Sequence, residues 1–381
     1  MANSSNKVAS NGVASPLCKR CNEEPGTQQI RSETVCSKCF TQYVATKVIK
    51  RMETYKMRGS RNAPKKLLFP LSFGPSSASL LHILDQHLQG QYERMNRAAY
   101  KLHIVHIYLH LDDADRKDCV ALLEKYKARF PRHTYFSLGL EDALQLDNID
   151  WKALGMSAPA EVVTQKLGTE RLQALIGSMP SATSRKDIAT TLLTRLLVEV
   201  AKRNSCESIL FGDSTTRLAE KTLTETAKGR GFSLPWQVSD GMTSYGVGFN
   251  YPARDLLKKE LVTFTSLTTA PLTDLILYQN SSSDISASSK LTTIDDLMIQ
   301  YFESVEQNYP SIVANVVRTS SKLKPRSGEV SAGCGLCGLP VLEGNDGIFG
   351  WGGDQNSDSR PIGENGDQGI LCYGCSRSIN G

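Results

Sequence analysis

Eight of the ten cysteines form four Cys-x-x-Cys pairs: Cys18/Cys21 and Cys36/Cys39 near the start, Cys334/Cys337 and Cys372/Cys375 at the end. Two thiolates separated by two residues chelate one ion, and two such pairs supply the four soft ligands of a tetrahedral metal site. Fourteen residues separate the first two pairs and thirty-four the second two. The first spacing is that of a zinc ribbon, and Gln29-Ile30-Arg31 suits the hairpin between its knuckles. The second needs the Gly- and Asp-rich stretch 343–369 to loop out. A closed four-thiolate site has no open coordination position, so both quartets are expected to be structural, each holding zinc. Four thiolates also suit an iron–sulfur cluster, which leaves the metal's identity open. Cys119 and Cys206 sit in helical or apolar context and read as buried, inert thiols.

A second chemical feature is the turn Ser72-Phe73-Gly74-Pro75-Ser76-Ser77, between an apolar run and a helical pattern. Small residues at a helix start expose backbone N–H groups and hydroxyls, which suits a phosphate. Ser72, Gly74, Ser76 and Ser77 are the candidates, and Asp213, after the strand Ser208–Gly212, is grouped with them as a degenerate nucleotide site. Serine-rich helix caps explain these residues as well, and Pro70 counts against a clean central strand. A third feature is basic. Lys47, Lys50, Arg51, Lys56, Arg58, Arg61, Lys65 and Lys66 are opposed only by Glu53. With Tyr43 and Tyr55 interleaved, they form either a solvated face or a track of phosphate contacts along an RNA. The six histidines, His82 to His133, have no spacing that makes a metal site. Asp112, Asp113 and Asp115 either face a ligand at the sheet edge or serve an acidic helix start.

The elements that must position these groups alternate. Strand-like runs at 67–71, 102–111, 134–138 and 208–212 are interleaved with helical patterns at 114–130, 160–176, 186–203 and 216–228. That pattern predicts an α/β, doubly wound, mostly parallel sheet. The expected organisation is a disordered leader at 1–15, a four-cysteine module at 16–46, and a basic helix or linker at 47–66. An α/β domain follows at 67–270, then a Ser-rich linker at 279–290, a helical segment at 291–326 and the second cysteine module at 330–381. A chain of 381 residues with 22% charged and 40% hydrophobic residues and a net charge of +5 is an ordinary globular protein whose overall charge names no partner. The leader has no apolar core of a secretory signal and no run is long enough to span a membrane. The cytosol is therefore the expected compartment, where paired cysteines hold metal.

Taken together, Cys-Lys-Arg-Cys with Cys-Ser-Lys-Cys-Phe, Gly-Pro-Ser-Ser-Ala-Ser-Leu-Leu at 74–81, Phe-Gly-Asp-Ser-Thr-Thr-Arg-Leu-Ala at 211–219 and Tyr-Pro-Ala-Arg-Asp-Leu-Leu-Lys-Lys-Glu-Leu at 251–261 resemble the cytoplasmic tRNA 2-thiolation protein 2 family. The resemblance runs from Cys18 to Cys375. It implies a PP-loop-like domain in a non-catalytic subunit, paired as a heterodimer with a catalytic PP-loop thiolase homologue. That partner would modify wobble uridines of tRNA with sulfur from a ubiquitin-like carrier protein, which also links the family to protein urmylation. Active PP-loop enzymes carry Ser-Gly-Gly-x-Asp-Ser at the turn; here Phe73 takes the second position and Ser76 the Asp position. A side chain at 73 is expected to obstruct the backbone approach that glycine permits, and loss of the carboxylate removes a metal–phosphate contact. The mid-domain cysteines of related thiolases have no counterpart at 179–184 or near 252–255. ATP binding is therefore doubtful and no catalytic residue is assigned. The rival readings are an active ATP-dependent tRNA-modifying enzyme and a zinc-ribbon RNA-binding scaffold.

Overall fold

The structure, a computed structural model, describes residues 16–30, 32–55, 63–109, 113–156, 165–277, 292–325, 330–342 and 370–381. The leader, the Ser-rich stretch 279–290, the glycine-rich stretch 343–369, Asp112 and the cations Lys56, Arg58 and Arg61 lie outside the described residues. Among the described residues no helix is long and apolar enough to cross a membrane.

The chain opens with the hairpin β1 (Gln28–Ile30) and β2 (Glu33–Val35), which leads into α1 (Ser37–Arg51). Then come β3 (Lys65–Pro70), α2 (Pro75–Met95), β4 (Tyr100–Tyr108), α3 (Asp113–Arg129), β5 (Thr134–Gly139), α4 (Gln165–Ser178) and α5 (Ala182–Arg203). The series continues with β6 (Ser208–Leu210), α6 (Thr215–Ala227), α7 (Leu234–Gln237), β7 (Gly241–Met242), β8 (Gly248–Asn250) and α8 (Lys258–Leu267). It ends with α9 (Ile294–Asn308), α10 (Pro310–Ser320), the hairpin β9 (Val330–Gly333) and β10 (Pro340–Leu342), and α11 (Tyr373–Asn380).

Six strands form one sheet in the order β5-β4-β3-β6-β8-β7, all parallel except the short edge strand β7. Successive side chains alternate between faces. Leu67 and Phe69 join the core beneath α1, α2, α3 and α8, whereas Leu68 joins the core beneath α4, α5 and α6. Burial on both sides is why β3 and β4 read as near-continuous apolar runs. Each cysteine quartet merges with one core: Cys18 and Cys36 with the first, Cys334, Cys337, Cys372 and Cys375 with the second. Helices α9 and α10 pack on α6, so the segment after the Ser-rich stretch belongs to the body.

Pro70 ends the central strand without breaking it. Lys65 donates its backbone N–H to Ala99, just before β4, and Leu71 to Val105 of β4, while Lys66 accepts from Glu207 on the other side. By alternation Pro70 faces β6, whose pairing with β3 ends at Leu68↔Ile209, so no ladder hydrogen bond is lost. Lys65 and Lys66, grouped by sequence with the basic helix or linker, are the first residues of β3. Helix α1 starts ten residues before position 47, because Cys36 is its N-cap and accepts the Cys39 N–H at 3.5 Å.

Candidate functional site

The chain winds in opposite senses from β3 and β6, the central neighbours, and a crevice at the carboxyl ends of two such strands is where open α/β sheets place ligands. The turn 72–77 leaves β3 at this point and residues 211–214 leave β6. Pro75 stands in the first turn of α2, where its missing N–H costs nothing. Ser72 Oγ and Ser77 Oγ are 3.1 Å apart, and Ser77 Oγ donates to the Gly74 carbonyl at 3.1 Å. The hydroxyls proposed for a phosphate thus bond to their own loop. Ser76 is half-buried on the same first turn. Asp213 lies beyond β6, and Ser214 beside it caps α6 by accepting the Arg217 N–H at 3.2 Å. Gly212 brings the two loops together. A Cβ there would stand 3.1 Å from Ser77 Cα and 3.2 Å from Ser77 N. Gly212→Ala is expected to cost about 1–3 kcal/mol through this overpacking, read as a lower denaturant midpoint at unchanged slope.

Phe73 occupies φ +58°, a left-handed conformation that favours glycine. The backbone of the loop therefore keeps a glycine-type shape with an aromatic residue in it. The expected obstruction takes a different form: the ring does not stand over the loop but is fully buried, stacked on His106 at 4.1 Å and on Tyr126 at 5.4 Å between centroids. Beside it remains a cavity of about 150 Å³, lined by Ser72, His106, Tyr108, Cys119 and Leu277 among others. The Leu277 N–H donates to the Phe73 carbonyl at 2.9 Å, so the segment after α8 closes over the loop. Cys119 is a buried thiol in this wall; Cys206 lies at the opposite, amino end of β6, its pKa pushed up to about 11 by burial.

In each quartet all four sulfur atoms lie within 4.8 Å of one another. Cys21 Sγ and Cys36 Sγ are 3.8 Å apart, Cys337 Sγ and Cys372 Sγ 3.9 Å. The edge of a tetrahedron with 2.3 Å metal–sulfur bonds is about 3.8 Å, so both clusters can hold a metal ion and are compatible with zinc. The thiols share protons unevenly. Burial opposes ionisation of Cys18, but N–H donors from Cys21, Cys36 and Arg20 hold it down at about 6, while burial and its neighbours push Cys39 up to about 12. Cys334 is strongly lowered by hydrogen bonds from Cys337, Cys372 and Cys375, and Cys337 and Cys375 are raised in return. A divalent cation removes this competition by deprotonating all four.

The C-terminal quartet is fully buried and is tied to the body by groups that no sequence spacing announces. Arg230, buried, donates to Asp187 Oδ1 at 2.9 Å and also to Asp187 Oδ2, reaches Glu225 at 3.4 Å, and points a guanidinium nitrogen at Cys375 Sγ, 3.9 Å away. Lys228, also buried, pairs with Asp187 at 3.1 Å and Asp295 at 2.8 Å, and Ser378 of α11 donates to Asp187 at 2.6 Å. Tyr245 donates its hydroxyl to the Cys337 carbonyl at 2.6 Å. The N-terminal site is more open, with Cys21 and Cys39 half-buried.

The basic stretch divides. Arg51 forks onto Asp255 at 2.7 and 2.9 Å, with Asp240 at 3.8 Å, and so braces α1 against the loop after β8. Lys65 pairs with Glu207 at 2.8 Å. Lys50 and Lys66 are exposed, and Lys47 lies 5.7 Å from the Tyr43 ring centroid.

Comparison with known proteins agrees with this geometry. The family model described as cytoplasmic tRNA 2-thiolation protein 2 matches residues 293–377. Proteins of that name from Sclerotinia sclerotiorum and Phaeosphaeria nodorum are 65% and 48% identical to this chain. The first alignment covers 79% of this chain and 80% of the relative, the second 97% and 96%. Among solved structures, the U34-tRNA thiolase NcsA from Methanococcus maripaludis with its 4Fe-4S cluster superposes with a TM-score of 0.58 at 16% identity. That superposition covers 86% of this chain and 94% of the thiolase, which shows a shared fold. With identities this high over nearly whole relatives, the chain belongs to the cytoplasmic tRNA 2-thiolation protein 2 family.

Proposed function

We propose that this chain is the non-catalytic subunit of a cytoplasmic tRNA wobble-uridine 2-thiolation complex. It docks tRNA and stabilises a catalytic PP-loop homologue, which takes sulfur from a ubiquitin-like carrier protein. The observation that carries the reading is Phe73: the loop keeps a glycine-type backbone while the ring fills the space beneath it. The cavity of about 150 Å³ that is left beside the ring is lined mainly by apolar and aromatic side chains, not by the serines of the turn beyond Ser72. Ser72 and Ser77 are spent on each other, and Ser76 brings no carboxylate for a metal–phosphate contact. Zinc in both quartets is part of the proposal. Four thiolates at tetrahedral spacing suit it, and when bound it would cross-link the terminal modules to the two cores. Lys47, Lys50 and Lys66, with Lys56, Arg58 and Arg61, would supply phosphate contacts that give affinity without base specificity.

The test is reconstitution. The isolated chain is expected to give no ATP-dependent thiolation of tRNA and no saturable heat of ATP–magnesium binding. Adding the catalytic homologue is expected to give 2-thiouridine by mass spectrometry of digested tRNA, and omitting this chain to abolish it. Thiolation by the chain alone, or tight ATP binding, returns the reading to an active enzyme.

A further inference from the structure

A cleft of about 760 Å³ opens where three distant parts of the chain meet: Gln28 and Gln29 of the first hairpin with Tyr43 of α1, Lys259 of α8, and Asn315 and Arg318 of α10. None of the quartet cysteines and none of the phosphate-loop residues lines it. Its volume is that of a pocket for one or two nucleotide-sized groups.

The charges of its wall are unevenly committed. Asp255 is held by Arg51, and Glu260 accepts the Leu257 N–H at 2.7 Å, capping α8. The side-chain nitrogens of the two cations meet neutral oxygens, while the Glu306 carboxylate accepts the Lys259 backbone N–H at 2.8 Å. Lys259 Nζ donates to the Glu306 carbonyl at 3.0 Å, and Arg318 reaches the Asn315 side-chain oxygen at 3.5 Å. Among the described residues neither side-chain cation has a carboxylate partner. At the other side, Tyr43 carries Arg20 at 5.1 Å and Lys47 at 5.7 Å from its ring centroid, joining the cleft to the basic face of α1. Uncompensated cations select phosphates, primary amides read the donor and acceptor edges of bases, and an aromatic ring offers a stacking surface. A duplex cannot present its base edges inside a cleft walled by three elements; an unpaired strand can.

We infer that this cleft receives an unpaired stretch of RNA, its phosphates on Lys259 and Arg318 and a base at the amides of Gln28 and Asn315. The inference rests on the reading of the chain as a tRNA-docking subunit. Lys259 and Arg318 are exposed, but Lys259 also holds Glu306, so the denaturant midpoint of each variant is measured beside its RNA affinity.

The test uses the full chain, a cleft variant (Lys259→Glu with Arg318→Glu) and an α1 variant (Lys47→Glu with Lys50→Glu). The probes are a short labelled oligouridylate, a blunt RNA duplex and tRNA. The cleft variant is expected to lose at least tenfold in oligouridylate affinity and to weaken tRNA. Its salt dependence should become shallower by about 0.7 for each phosphate contact removed, while duplex binding stays unchanged. Ultraviolet cross-links from oligouridylate are expected on the peptide containing Tyr43. If the α1 variant weakens tRNA but the cleft variant binds every RNA as the parent does, the cleft inference fails and the docking reading stands. If neither variant weakens any RNA, both fail. Loss of the protein partner with unchanged RNA binding also overturns the inference, in favour of a protein interface.

Discussion

Arg230→Met is expected to destabilise the protein by about 3–5 kcal/mol and to empty the C-terminal metal site while the N-terminal one stays loaded. Methionine fills most of the volume but leaves Asp187, Glu225 and the Cys375 thiolate without their shared cation inside the protein. Lys228, 3.1 Å from Asp187, and the Ser378 hydroxyl still answer part of that charge, so the cost falls toward the lower end of this range and comes mainly from Glu225, the sulfur and the lost fork. Arg230→Lys is expected to recover only part of the loss, because an ammonium cannot fork onto Asp187 while also facing the sulfur. The readouts are the denaturant midpoint and the metal content, which should fall from two equivalents per chain to one. Two equivalents retained at near-parent stability would falsify the coupling. The same pair has a pH signature. Burial raises the Asp187 pKa, but Arg230 outweighs it and holds the carboxyl down at about 2. A folded-state value below the unfolded one, about 3.9, means that the stabilisation is complete above that unfolded value and is lost as the pH falls through about 2. Asp187→Asn should flatten the acid limb of the stability curve in that window.

What the sequence made legible was local. A Cys-x-x-Cys pair is a complete chelate within four residues, so both quartets could be read before any fold was known. Strand and helix periods likewise predicted the parallel sheet, whereas its switch point between β3 and β6 came only with the strand order. Long-range pairing was not legible. Asp187 and Arg230 are ordinary charged residues in unrelated stretches, and nothing in their spacing says that they meet beside Cys375. The basic stretch looked uniform because charge runs carry no sign of which members are already neutralised. Only the fold shows Arg51 spent on Asp255 and Lys65 on Glu207. Pro310 separates α9 from α10 and also starts the second, since proline suits a first helical turn. The cleft beside α10 has no linear signature, because its walls come from residues nearly three hundred positions apart.

Phe73→Gly is expected to lower stability by about 1–4 kcal/mol although it restores the residue that active PP-loop enzymes carry. Glycine relieves a left-handed backbone that costs other residues about 1–2 kcal/mol. Against that, removing a buried aromatic side chain costs about 3–5 kcal/mol, since His106 and Tyr126 lose their stacking partner and a cavity remains. The lost packing outweighs the relieved backbone, so the ring has become part of the core. The added change Ser76→Asp should return little more than a helix-dipole contribution, about 0.3–1 kcal/mol, because it places a carboxylate in the first turn of α2. The double variant, purified alone, is still expected to make no thiolated tRNA, because a phosphate loop supplies adenylation at most and the mid-domain stretch 179–184 offers no sulfur nucleophile. Chemical denaturation, ATP titration and tRNA mass spectrometry on the one preparation decide it. A variant more stable than the parent would show that the ring is tolerated and not structural, and ATP-dependent thiolation by that variant would show that only the loop had silenced the fold.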